Sequence, residues 1–132
     1  MNAVEIPTRV RNLAQLEPNV DVLWLYGSRA KGTEPHNSDF DLAVASYPFP
    51  EDRWDLRLQP ELLAQSWSDQ LNLFDGIISI ADINHIPIQL ALSIIQTSKV
   101  LTVKDTIRLI RKEHQITSIW EVDHLYHRSH DG

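Results

Sequence analysis

The chain has 132 residues, 42% hydrophobic and 23% charged, with 12 basic against 18 acidic side chains and a formal charge of −6. That composition supports a packed core but not a surface that grips a phosphate backbone, so no direct nucleic-acid binding is expected; an acidic surface instead suits a basic protein partner. There is no run of about 18 apolar residues and no basic-then-apolar leader after Met1, so no membrane span or secretory signal is expected, and zero cysteines exclude disulfides and thiolate metal sites and fit a cytoplasmic setting.

Residues 7 to 17 open with Pro7-Thr8 and carry Val10, Leu13, Ala14 and Leu16 at helical spacing before Pro18-Asn19, which predicts a short amphipathic helix. Val20 to Tyr26 is an apolar run bounded by turn residues and reads as a buried strand. Gly27 to Ser38 is glycine-rich and polar, a loop or a loop with a helical first turn. From Asp39 to Ala45 the residues alternate. Phe40, Leu42 and Val44 fall on one face, and Asp39, Asp41, Ala43 and Ala45 on the other, which predicts a strand with a carboxylate-bearing face.

Pro48-Phe49-Pro50 then breaks the chain. Residues 51 to 70 carry Trp54, Leu58, Leu62, Leu63 and Trp67 near helical spacing, a helix that Pro60 kinks or splits. Leu73 to Ala81 reads as a further strand. Asn84 is the expected N-cap of the next helix, with Pro87 in its first turn and Ile88, Ala91, Leu92 and Ile95 on one face. Lys99 to Val103 is a short strand, and 104 to 128 a charged C-terminal helix with scattered apolar positions. No repeat or second domain is visible. The expectation is a single α/β (α+β) domain over 1–132, a small mixed sheet with helices packed on it, with its core at about 7–103.

The stretch from Tyr26 to Val44 carries the chemistry. Residues two apart on a strand point the same way, about 7 Å apart along it, so Asp39 and Asp41 can share a hard cation. Mg²⁺ favours a few carboxylates together with phosphate oxygens and water, the arrangement of nucleotide-using sites. Gly27-Ser28 at a strand end can present backbone N–H groups to a phosphate, because glycine permits close approach. Arg29 and Lys31 add positive charge beside it. Either half alone is commonplace, as a cap, a turn or an exposed edge; the two at fixed spacing between predicted strands are far more specific.

Gly27-Ser28 followed by Asp39-x-Asp41 resembles the signature of the DNA polymerase beta-like nucleotidyltransferase superfamily. The shorter form that matches Gly27, Ser28, Ala30, Gly32, Ser38, Asp39, Asp41 and Leu42 is similar to the minimal nucleotidyltransferases (MNT), the antitoxin half of HEPN–MNT toxin–antitoxin pairs. The resemblance runs from about residue 7 to 103. It implies a polymerase beta-like fold, with Asp39 and Asp41 as catalytic metal ligands and Gly27, Ser28, Arg29, Lys31 and Ser38 at the nucleotide. ATP is the implied substrate and Mg²⁺ the implied cofactor.

One position departs from the pattern. The superfamily carries a third metal-binding carboxylate on a later strand, and aligning Asp82 on the second acid of that motif leaves Ser79 where the third ligand is expected. A neutral hydroxyl is a poor substitute. Either Asp82 reaches in from the strand end as a metal ligand, or Asp75 does, or the site works with two carboxylates; the competing structural readings are that Asp82 caps the next helix and Asp75 begins a strand.

The family's reaction is attack of an acceptor hydroxyl on the α-phosphorus of ATP, with loss of pyrophosphate. One helix-length segment follows the catalytic sheet, too little for an acceptor domain, so the acceptor is expected on another chain. For the toxin–antitoxin relatives that acceptor is a tyrosine of the HEPN toxin, which receives AMP and loses its RNase activity. Two alternatives stand beside this reading: a degenerate antitoxin that only masks its toxin, and a free-standing transferase acting on a small molecule or nucleic acid. His124, His127 and His130 drift around a helix and read as tail rather than metal site. The four tryptophans read as core or interface anchors. Pro48 to Trp54 reads as core, with a partner surface the alternative.

Overall fold

The computed structural model describes residues 4–31, 39–46 and 53–131, without the side chains of Ser28, Lys31, 53–58 and 126–131. Expectations placed on Gly32, Ser38 and Pro48-Phe49-Pro50 lie outside the described residues.

Helix α1 (Ile6–Leu16) carries Pro7 in its first turn, where the missing N–H costs nothing. It buries Ile6, Val10 and Ala14 on one stripe and ends where Glu17 turns extended ahead of Pro18. Strand β1 (Val20–Tyr26) follows, then the one-turn helix α2 (Ser28–Lys31) and strand β2 (Phe40–Ser46). Helix α3 (Arg53–Gln70) leads to β3 (Ile78–Asp82), α4 (Ile88–Thr97) to β4 (Lys99–Val103), and α5 (Thr106–Asp131) closes the chain.

The four strands form one mixed sheet in the order β3-β2-β1-β4. β1 pairs antiparallel with both β2 and β4, while β3 runs parallel to β2 after the α3 crossover. Strand alternation sends side chains into two cores, one on each face. Leu23, Leu25, Phe40, Leu42 and Val44 meet α1 and α3 around Trp67. Val22, Trp24, Ala43 and Ala45 meet α4 and α5 around Ile94 and Ile116. Both faces are covered, which is why Val20 to Leu25 is a nearly unbroken apolar run. Asp21 is the polar exception in that run; buried, it faces Arg108 of α5 across 3.7 Å.

Three sequence expectations shift. β3 begins at Ile78 rather than Leu73, because Asn72 and Gly76 take positive φ and hold 71–77 in turns. Asn84 does not cap α4; Pro87 occupies the N-cap position, and no side chain caps it. Pro60 does not split α3, which runs through it as one 18-residue helix. Among the described residues no helix is long and apolar enough to cross a membrane.

Candidate active site

The antiparallel register of β1 and β2 sets Tyr26 directly across from Asp41. Gly27 follows at φ +73, a conformation that strains any residue carrying a Cβ, and a Cβ here would stand 2.7 Å from Asp41 Oδ2. The turn therefore needs glycine twice over, for its backbone and for the space next to the carboxylate. α2 starts at once, so its first backbone N–H groups, which have no partner inside the helix, emerge beside this turn.

Asp39 stands just before β2, exposed, and Asp41 is half-buried one pleat on. Burial first, and the neighbouring Asp39 charge second, push the Asp41 carboxyl above the ordinary carboxylate range. Tyr26 responds in turn: burial and then the Asp41 charge push its phenol up. Sequence alone did not mark Tyr26, because nothing in its own strand says what faces it across the sheet.

On the other side of β2, the parallel pairing puts Ser79 in register with Asp41. Ser79 is exposed and sits beside Asp41, where the resemblance calls for a third acid. Asp82 is elsewhere. It pairs with Val44, three residues and about 10 Å further along β3. Its carboxylate is already occupied, accepting from the Asn84 backbone N–H at 2.9 Å and side-chain amide at 3.3 Å and lying 3.3 Å from His85 Nδ1. In the structure Asp82 holds the turn after β3. Asp75 is exposed in the turn before β3, beside a cavity that Ser79 also lines.

Arg29 stacks on the strand that follows the loop. Its guanidinium lies over the Phe40 ring, 4.3 Å from the centroid. Phe40 belongs to the core on the α1/α3 face, so this contact fastens α2 to β2. The backbones of Ser28 and Lys31 fall within α2, and Ser38 lies outside the described residues.

Two carboxylates on one strand face, a serine hydroxyl in register and a glycine turn tight against one acid offer hard oxygen donors with room for phosphate. That donor set fits Mg²⁺. Among the described residues, no group of three or more His, Asp or Glu gathers to form a fuller metal cage.

Sheet order, the glycine turn and the paired acids define a nucleotidyltransferase fold. The family model for polymerase beta nucleotidyltransferases matches residues 8–107, and the chain belongs to that family. Among solved structures, a chain of a toxin–antitoxin bound to AMP-PNP superposes with TM-score 0.72 at 18% identity over 93% of each chain. A chain of the complex of a tri-AMPylated Shewanella oneidensis HEPN toxin with its MNT antitoxin gives 0.67 at 15% identity, over 98% of this chain and 94% of that one. A chain of the toxin–antitoxin MntA–HepT gives 0.66 at 15% identity, over 93% and 91%. At these identities the likeness is one of fold. No curated protein matches the sequence.

Proposed function

We propose that this protein is an antitoxin that transfers AMP from ATP to a tyrosine hydroxyl of a cognate HEPN RNase toxin and so neutralises it. The observation that carries the reading is the Asp39–Asp41 pair set against the Gly27 turn. Its setting adds support, since the fold resembles chains of complexes described as AMP-PNP-bound and as AMPylated.

In this reading the triphosphate runs along the Gly27–Ser28 turn, where backbone N–H groups meet its oxygens. Asp39 and Asp41 would hold Mg²⁺, which when bound supplies charge neutralisation to the phosphates. The tyrosine oxygen attacks the α-phosphorus in line and forms the new P–O bond. The bond from the α-phosphorus to its bridging oxygen breaks, and that electron pair leaves with pyrophosphate. The phenolic proton passes to a nearby carboxylate or to water. Most of the acceleration comes from positioning, because two reactants held in line react as one.

A second reading is favoured by Ser79. With a hydroxyl where a carboxylate would complete the metal site, the chain would neutralise its toxin by masking alone. Labelled ATP and Mg²⁺, incubated with the protein and the product of a neighbouring HEPN gene, separate the two. AMP mass on a partner tyrosine, with RNase activity still absent after the proteins are parted, supports transfer. An unmodified partner whose RNase activity returns on separation supports masking.

A further inference from the structure

We propose that the outer edge of β3, unpaired among the described residues, docks the acceptor: an extended, cationic segment adds beside Ile78–Ile80 with its tyrosine opposite Ser79. The proposal deepens the reading above and rests on it insofar as the acceptor is a protein tyrosine.

β3 is the outer strand of the sheet. Phe40 N–H donates to Ile77 C=O at 2.8 Å, and Ile83 N–H to Val44 C=O at 3.0 Å. In a parallel ladder this alternation turns the main chain of 77, 79, 81 and 83 inward to β2. It leaves the N–H and C=O groups of Ile78 and Ile80 facing outward. Such a row is a template for another strand, and peptide recognition by strand addition uses it.

Beside that edge lies a cavity of about 420 Å³, lined among others by Glu61, Ser68, Asp75 and Ser79. Ser68 is 3% exposed, and its hydroxyl makes no hydrogen bond among the described residues. This unbonded hydroxyl is open to the cavity and can bond to a guest there. The exposed acids Glu61 and Asp75, on a chain of charge −6, call for positive charge on that guest.

Register supplies the reason for Ser79. Strands lie about 4.8 Å apart, so a residue added opposite Ser79 stands two spacings, about 10 Å, from Asp41. Its side chain leaves the sheet on the same side as those of Ser79 and Asp41. A tyrosine spans most of that gap, passing over the short Ser79 side chain. Asp82 then ends the docking edge, its bonds to Asn84 and His85 turning the chain away.

The test uses the whole protein with ATP and Mg²⁺. The probe is a short blocked peptide of alternating lysine and threonine about one central tyrosine, with amide exchange read residue by residue by NMR. The expected result is exchange at Ile78 and Ile80 slowed by about tenfold or more, as edge pairing requires. Ile80→Pro removes an outward N–H without touching the β2 ladder and should abolish the protection at Ile78. Should that variant not fold, the surface change Glu61→Lys with Asp75→Lys should weaken peptide binding at least about tenfold. Protection without AMP on the peptide upholds the docking edge and counts against the transfer reading. AMP on the tyrosine with both amides unprotected overturns the docking edge and leaves transfer standing. A peptide that neither binds nor protects also overturns the edge.

Discussion

Ser79 stands beside Asp41, in register across the parallel pairing of β2 and β3. A carboxylate placed there would face the cation that Asp39 and Asp41 are proposed to hold. Ser79→Asp should therefore tighten Mn²⁺, a spectroscopic substitute for Mg²⁺, by about tenfold, since hard-cation affinity follows the number of charged ligands. The same change adds a like charge and should push the Asp41 carboxyl higher still. Metal titration by electron paramagnetic resonance reads the first effect; unchanged Mn²⁺ affinity would remove Ser79 from the site.

Asp82 should behave in the opposite way. Asp82→Ala strips the acceptor from the Asn84 amides and the partner from His85 in a buried setting, costing about 1–3 kcal/mol in urea unfolding. Its metal affinity should match that of the unaltered protein. A fall in Mn²⁺ affinity without loss of stability would restore Asp82 as a ligand.

Asp39→Asn and Asp41→Asn should each lower AMP transfer by at least about a hundredfold, because losing a charged metal ligand removes several kcal/mol of transition-state stabilisation. Both variants should fold, as judged by circular dichroism. Asp41→Asn should even raise Tm at neutral pH, since it relieves a carboxylate that burial and Asp39 both disfavour. Near-normal transfer by the folded double variant would sink the catalytic reading.

The pH dependence has an unusual sign. Asp41 binds its proton more tightly folded than unfolded, so this group stabilises the fold as pH falls from above its raised pKa towards the ordinary carboxylate value. Most paired carboxylates do the reverse. Metal binding needs the ionised form, so Mn²⁺ affinity should drop as pH falls through a midpoint above the usual carboxylate range. In Asp39→Asn that midpoint should move down but stay raised, because burial is the larger cause. Carboxyl ¹³C titration would show it, and a midpoint unaffected by Asp39→Asn would mean the acids do not interact.

Gly27→Ala should cost about 1–2 kcal/mol for the left-handed backbone alone. Its methyl would also meet Asp41 Oδ2, so Mn²⁺ binding should weaken beyond what the loss of stability explains. Thermal unfolding and metal titration together check this; weakened stability with normal metal affinity would confine Gly27 to the turn.

Much of the candidate site's local structure was legible in the residues. Alternation from Phe40 to Ala45 separates apolar from acidic positions, and strand geometry puts Asp39 and Asp41 on one side before any partner strand is known. The apolar run Val20–Tyr26 ends at a glycine, which marks both the strand end and the turn. The start of β3 was less legible: Leu73 and Ile77 look like strand residues, but the positive φ values of Asn72 and Gly76 bend the chain before a ladder can form. The N-cap of α4 was misread for a similar reason, since the Asn84 backbone N–H is already held by Asp82 in a turn.

By itself the sequence determined the strand that carries the acids and the glycine that precedes them, because these follow from local periodicity; Ser79 at the third position follows only from the family resemblance. Only the tertiary structure decided which residues meet. Tyr26 faces Asp41, Ser79 flanks it and Arg29 turns to Phe40, because strand order and register are set by burying both sheet faces at once. Asp82 shows the difference most clearly: close to Ser79 in the chain, it is carried by the rise of the strand about 10 Å from the site and given to a turn.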